Sequence, residues 1–187
     1  VSGTVRLNVI PSADVVVGLS SSDLTEIQVP ATVLIPNGQT SAVFTVTVPN
    51  DNLIDGAQAP TVTAHVANWI DGAGDITVLD DENVNLAVSL PASTYENVGV
   101  LTGAGSVAIS GGLPTNLVVL LQSSDPTEAT VAASATILAG QTNVAFDLTL
   151  VDDVLVDGAQ AVRIAASAPG FNAASNTISV SAAQSPP

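Results

Sequence analysis

Apolar and polar residues alternate with a period of two along much of this chain. Val43-Phe44-Thr45-Val46-Thr47-Val48 and Val144-Ala145-Phe146-Asp147-Leu148-Thr149-Leu150 show it most clearly. Both runs are rich in β-branched and apolar residues, which suit a pleated surface buried on one face. Turn signals punctuate the strands at roughly 8–12 residue spacing: Pro36-Asn37-Gly38, Asp55-Gly56, Asp71-Gly72, Gly111-Gly112 and Asp157-Gly158. Short strands at that spacing predict sandwiches of antiparallel sheets. No segment carries a helical apolar stripe.

The pattern occurs twice. Leu19-Ser20-Ser21-Ser22-Asp23-Leu24-Thr25-Glu26 matches Leu121-Gln122-Ser123-Ser124-Asp125-Pro126-Thr127-Glu128 at an offset of 102 residues. The same offset carries Gly38-Gln39-Thr40 onto Gly140-Gln141-Thr142, and Asp55-Gly56-Ala57-Gln58 onto Asp157-Gly158-Ala159-Gln160. Between 19 and 64, 22 of 46 positions are identical without a gap, so the chain holds two copies of one domain. The expected domains are 1–82 and 83–187. In the second copy the predicted strands cover 84–90, 104–110, 116–122, 128–138 in two pieces, 143–150, 160–167 and 174–181. The first copy offers 4–10, 14–20, 27–35, 42–48, 60–66 and 75–79, with no counterpart to 84–90. The fold class is therefore all-β, two tandem sandwiches, the first lacking its first strand. The link Leu79-Asp80-Asp81-Glu82-Asn83 has no Gly or Pro, which predicts end-to-end stacking with limited freedom.

Composition narrows the function. Seventeen acids face two basic residues, a net charge of −15. With almost nothing to neutralise phosphate, the chain is not expected to bind nucleic acid or to be drawn to anionic membranes. No apolar run nears the length that spans a bilayer. The absence of Cys excludes disulfides and thiolate chemistry, and a single residue, His65, cannot build a poly-histidine metal site. No nucleophile–base set, phosphate loop or paired-acid signature stands out, so an enzyme is the least expected class. The opening Val1-Ser2-Gly3-Thr4 has neither the basic nor the apolar stretch of a leader and predicts a processed or excised chain.

Several motifs together carry a family resemblance. They are Tyr95-Glu96-Asn97-Val98-Gly99, Ser123-Ser124-Asp125, Gly140-Gln141-Thr142, Val151-Asp152-Asp153 through Asp157-Gly158, and Thr77-Val78-Leu79-Asp80-Asp81-Glu82. In order and spacing the repeat resembles a Calx-beta domain, the immunoglobulin-like sandwich of sodium–calcium exchangers, and more closely the tandem copies of bacterial surface and secreted proteins. In exchangers the resemblance implies calcium at one end of the sandwich, held by acids from several loops. Calcium takes 6–8 oxygen ligands, which clustered carboxylates supply. The implied ligands are Asp23, Asp51, Asp55, Asp80, Asp81 and Glu82 in the first copy, and Glu96, Asp125, Asp152, Asp153 and Asp157 in the second. The sets differ from the family's. The first copy lacks the first-loop Glu, Gln58 and Gln160 stand where exchangers have a later Glu, and Ser181-Ala182-Ala183 replaces the closing acids of the second copy.

Each candidate has a plainer reading beside it. Asp55-Gly56 and Asp157-Gly158 form turns whether or not they also bind an ion. Asp80-Asp81-Glu82 is a solvated linker or, because adjacent acids repel, a cation site. Glu26 and Glu128 read as structural loop residues. Trp69 and Phe171 occupy the same repeat position and plug the end of the sandwich or pack on a neighbour, with sugar stacking the other choice. The expected function is a calcium-stabilised, non-catalytic extracellular or cell-surface module. It would serve in a bacterial fibre, adhesin or large secreted protein, associate end to end with copies of itself or neighbouring repeats, and polymerise if a strand is donated to the vacant slot. The alternative is a carbohydrate- or partner-binding accessory module of a secreted enzyme.

Overall fold

A computed structural model describes residues 1–182 apart from Val154 and Val156. Ala183, expected in place of a closing acid, lies outside the described residues. The chain divides into two compact units, Val1–Asp51 with Asp55–Asp80, and Asn52–Ile54 with Asp81–Pro187. Among the described residues the structure is all-β, with one 3₁₀ turn at Glu96–Val98.

In the second unit, β7 (Ala87–Ser89), β9 (Val100–Ala108), β11 (Ala129–Thr130) and β13 (Asn143–Leu150) form one sheet in the order β11-β13-β9-β7. The facing sheet runs β12-β10-β14-β15-β8, from β8 (Ser93–Tyr95), β10 (Leu117–Ser123), β12 (Ser134–Ile137), β14 (Ala159–Ser167) and β15 (Ala174–Ser181). This two-sheet arrangement is immunoglobulin-like. Alternation dictates the packing. In β13, Phe146, Leu148 and Leu150 point inward while Ala145, Asp147 and Thr149 face solvent. They meet Val119, Leu121, Val162, Ile164, Ile178 and Val180 from the other sheet in one core.

The first unit repeats this plan with fewer strands. One sheet is β1 (Ser2–Arg6) paired with β4 (Ser41–Thr45). The other runs β3-β2-β5-β6, from β2 (Val15–Ser21), β3 (Thr32–Ile35), β5 (Thr61–His65) and β6 (Gly72–Asp75). The register of the four-stranded sheet also repeats: Val15 pairs with Ile35 and Leu19 with Ala64, as Leu117 pairs with Ile137 and Leu121 with Ala166. Val17, Leu19 and Ile35 are buried, with Val5, Phe44 and Ala64 packed against them. No counterpart of β7 or β8 occurs among the described residues of this unit.

Three local expectations change. The strand predicted at 84–90 shortens to 87–89, and a further strand forms beyond the predicted span, at 93–95. Chain 87–89 pairs antiparallel with β9, and after Pro91 the chain crosses to pair as β8, in parallel, with β15. Proline has no N–H to continue the first ladder, so the chain changes sheets there. The strand expected at 75–79 lies earlier, at Gly72–Asp75, with only an isolated bridge from Val78 to Gln58 beyond it, because the preceding turn sits at Asn68 and not at Asp71-Gly72. Asn68 adopts φ 64°, as Gly170 adopts 81° at the same repeat position, and Asn tolerates that left-handed conformation best among residues with a side chain. The first strand, expected at 4–10, covers Ser2–Arg6, although Leu7 N–H still donates to Thr40 O at 2.8 Å.

Gly3 and Gly105 occupy one repeat position, and each lies beneath a phenylalanine ring, Phe44 and Phe146 respectively. A Cβ at either glycine would overlap its ring. Gly105→Ala should therefore destabilise the second unit by about 1–3 kcal/mol, the usual cost of overpacking. Chemical denaturation checks this; the same change at Gly3 should act on the first unit's transition.

Candidate metal centre

The loop after β2 is built by its own side chains. Asp23 Oδ1 accepts the Thr25 N–H at 2.9 Å and the Thr25 hydroxyl at 2.5 Å, and Ile27 N–H donates to Asp23 O at 3.1 Å. The resulting turn buries Ile27 completely. It carries Glu26 with it, leaving that residue only 7 % exposed. The donors on Asp23 favour its charged form and hold its carboxyl below the usual range.

Two further acids reach Glu26 from the segment between β4 and β5. Carboxylate oxygens of Glu26, Asp51 and Asp55 all lie within 4.8 Å of one another. Two oxygens on opposite sides of one calcium ion, each at about 2.4 Å, stand about that far apart. Asp55 is placed by a tight turn in which Asp80 Oδ2 accepts the N–H groups of Asp55 at 3.1 Å and Gly56 at 2.8 Å. Gly56 has φ 78°, which a residue with a side chain adopts at a cost. Burial first, and then the charges of Asp55, Asp51, Asp23 and Asp80, raise the Glu26 carboxyl above its usual value.

The second unit repeats these electrostatics. Asp125 Oδ1 accepts the Thr127 N–H at 3.1 Å and its hydroxyl at 2.6 Å, which lowers the Asp125 carboxyl. Glu128 is 6 % exposed, and its carboxyl is raised by burial and then by Asp157, Asp125, Asp153 and Glu96. Glu96 opens the 3₁₀ turn and is 1 % exposed. Asp153 Oδ1 accepts the Leu155 N–H at 2.7 Å.

Sequence-level candidates thus separate by role. Asp51 and Asp55 converge on Glu26; Asp80 fastens the turn that presents Asp55; Asp23 and Asp125 lock their own loops. Asp153, Asp157 and Glu96 crowd Glu128. Asp81 and Glu82 belong to the second unit, where the Glu82 side chain lies against Gly111. Asp152 is exposed, two residues beyond the end of β13. The Glu26 carboxylate lies within 4.8 Å of those of Asp51 and Asp55, although Glu26 and Glu128 were expected to be structural. Their signal was present in the sequence: Asp-x-Thr-Glu recurs intact at the repeat offset. A turn motif alone would require only the Asp and Thr.

Elsewhere, His65 Nδ1 meets Asp71 Oδ1 at 2.7 Å on an exposed surface. Trp69 is 42 % exposed, whereas Phe171 packs on the second unit's core. No helix among the described residues is long and apolar enough to cross a membrane.

No family model matches the chain, and no curated protein is similar to it. Among solved structures it is similar to the calcium binding domain CBD12 of CALX1.1, at 14 % identity and TM-score 0.40, covering 89 % of this chain and 73 % of that one. It is also similar to domains 4 and 5 of the S-layer protein SbsC, at 15 % identity and TM-score 0.40, covering 89 % and 70 %. A glycosyl hydrolase family 2 member from Bacteroides cellulosilyticus aligns at 10 % identity and TM-score 0.41, covering 88 % of this chain and 21 % of that one.

The raised carboxyls fix a sign. An acid whose folded pKa lies above its unfolded value weakens the fold as pH rises from about 4.5 through the folded value. Asp23 and Asp125 act oppositely, contributing stability that is lost as pH falls through their lowered values. In chelator, Glu26→Gln should therefore raise the first unit's melting temperature at pH 7 by a few degrees, with the gain vanishing near pH 4. Glu128→Gln should do the same for the second unit. Calorimetry across that pH range checks both.

Proposed function

We propose that this chain is a non-catalytic extracellular structural or adhesive module. It consists of two immunoglobulin-like sandwiches, 1–82 and 83–187, that bind calcium through their loop acids and connect end to end with neighbouring repeats or copies of the same chain. The observation that carries this reading is a buried glutamate, Glu26, whose carboxylate lies within 4.8 Å of those of Asp51 and Asp55, while in the second unit burial and then the charges of Asp157, Asp125, Asp153 and Glu96 raise the Glu128 carboxyl. Two arginines among seventeen acids leave little internal charge to offset such clusters. A divalent ion with hard oxygen preference relieves the repulsion and joins loops that are far apart in sequence. Bound only by the folded state, it also adds stability through mass action. Rigid, anionic, calcium-braced sandwiches suit a spacer or adhesive stalk, and the residue content offers no acid–base or nucleophilic set for turnover.

Melting in millimolar calcium and in chelator tests the reading. At a hundredfold excess over Kd the ion adds about 2.7 kcal/mol, which for domains of this size raises the transition by about 10 °C or more. Glu26→Gln should abolish the rise in the first unit and leave it in the second. Equal melting in calcium and chelator would remove calcium from the function.

A further inference from the structure

Asn37-Gly38 is the one place in the chain where glycine follows asparagine. It lies in the exposed turn between β3 and β4. Gln39 N–H closes that turn on Pro36 O at 3.0 Å, and Asp14 Oδ1 accepts the Asn37 N–H at 2.8 Å. The second unit builds the same turn at Leu138–Gln141. There Gln141 N–H donates to Leu138 O at 2.9 Å, and Asn116 Oδ1 accepts the Ala139 N–H at 2.8 Å. Ala139 fills its place with backbone alone, so the turn does not require the Asn37 amide. The two turns also differ at the glycine. Gly140 N–H donates to Leu113 O at 2.9 Å, whereas Gly38 N–H reaches Pro11 O at 3.3 Å, longer than is usual for such a bond. The Gly38 nitrogen is thus the more loosely held. It also has no Cβ to crowd the side chain before it, and beyond its chain neighbours no atom lies within 4 Å of where a Cβ would stand.

We propose that Asn37 is a site of spontaneous deamidation. Asparagine is among the chemically labile side chains, and here its amide carbon sits next to an accessible backbone nitrogen. After the Gly38 N–H gives its proton to solvent base, the nitrogen attacks Asn37 Cγ. An N–Cγ bond forms, the Cγ–Nδ2 bond breaks, and ammonia leaves. Water then opens the five-membered imide. Opening at Cγ leaves aspartate at 37; opening at the main-chain carbonyl leaves isoaspartate, with one more carbon in the turn. One water is consumed, one ammonia is released, and nothing is oxidised or reduced. The net charge of −15 becomes one unit more negative, on the residue whose N–H Asp14 already accepts. Asp-Gly pairs can close the same imide, but an ionised carboxylate repels the incoming nitrogen. Two of them are restrained further: Gly56 N–H is held by Asp80 Oδ2 at 2.8 Å, and Gly72 pairs with Ala64 in the β5–β6 ladder. The Asn37 site is independent of calcium and stands or falls separately from the proposed metal sites.

The test incubates the full chain at neutral and at mildly alkaline pH. A synthetic peptide spanning 33–42 is incubated beside it and reports the reactivity of the same sequence without the fold. Intact mass, fragmentation and anion-exchange retention are followed with time, and isoaspartate is detected with an isoaspartyl methyltransferase. The folded chain should gain one mass unit and one negative charge, both located at residue 37, with isoaspartate among the products. The change should run faster at the higher pH and precede any change at another asparagine. Asn37→Ala, which copies the second unit's turn, should not gain the mass unit in the same time. The inference is overturned if the peptide converts fully while the folded chain keeps its mass, if another asparagine converts first, or if Asn37→Ala gains the mass unit equally.

Discussion

Charge arithmetic constrains everything at the loop ends of this molecule. Seventeen acids share two arginines and one histidine, so most of them cannot meet a cationic side chain. These depend on water, on N–H and O–H donors, on a proton or on an added cation. Asp23 and Asp125 are served by threonine donors, and Asp80 by two backbone N–H groups. Glu26 and Glu128 are instead drawn below the surface by the turns that bury Ile27 and Ala129, and there they face other carboxylates. The apolar anchoring of the loop thus creates the electrostatic problem that a bound ion would solve. Packing and ligand geometry arise from the same turn.

The sandwiches follow from a simpler rule. Strands with one apolar face must cover it, and the second unit does so on every side of its core. In the first unit the matching wall residues Phe44 and Ile76 are half-buried among the described residues. A fold built of repeats makes such a comparison possible within one molecule.

Most of the architecture was legible in the sequence. Alternation in Val144–Leu150 and the turn glycines of Asp55-Gly56 and Asp157-Gly158 placed strands and loops, and the 102-residue offset carried the sheet register with it. What escaped was local. After Pro91 the chain crosses to the other sheet and forms a short strand, Ser93-Thr94-Tyr95, whose half-buried residue is a threonine, so no apolar alternation marks it. The turn at Asn68 competed with a stronger-looking Asp-Gly three residues on. At the candidate site, Asp51 and Asp55 were readable as exposed loop acids. Glu26 and Glu128 were marked by the repeated Asp-x-Thr-Glu, but their burial was not readable, because it is decided by the side chains that follow, Ile27 and Ala129, and by sheet packing far away in sequence.

The central claim is that a buried glutamate in each unit is held in its charged form by calcium. Carbon-detected NMR titration of the Glu26 and Glu128 carboxyl groups measures this most directly, in chelator and in calcium. The account predicts that both titrate above their ordinary value of 4.5 in chelator and move below it when calcium is present. Titration at or below the ordinary value without metal, unchanged by calcium, would contradict it.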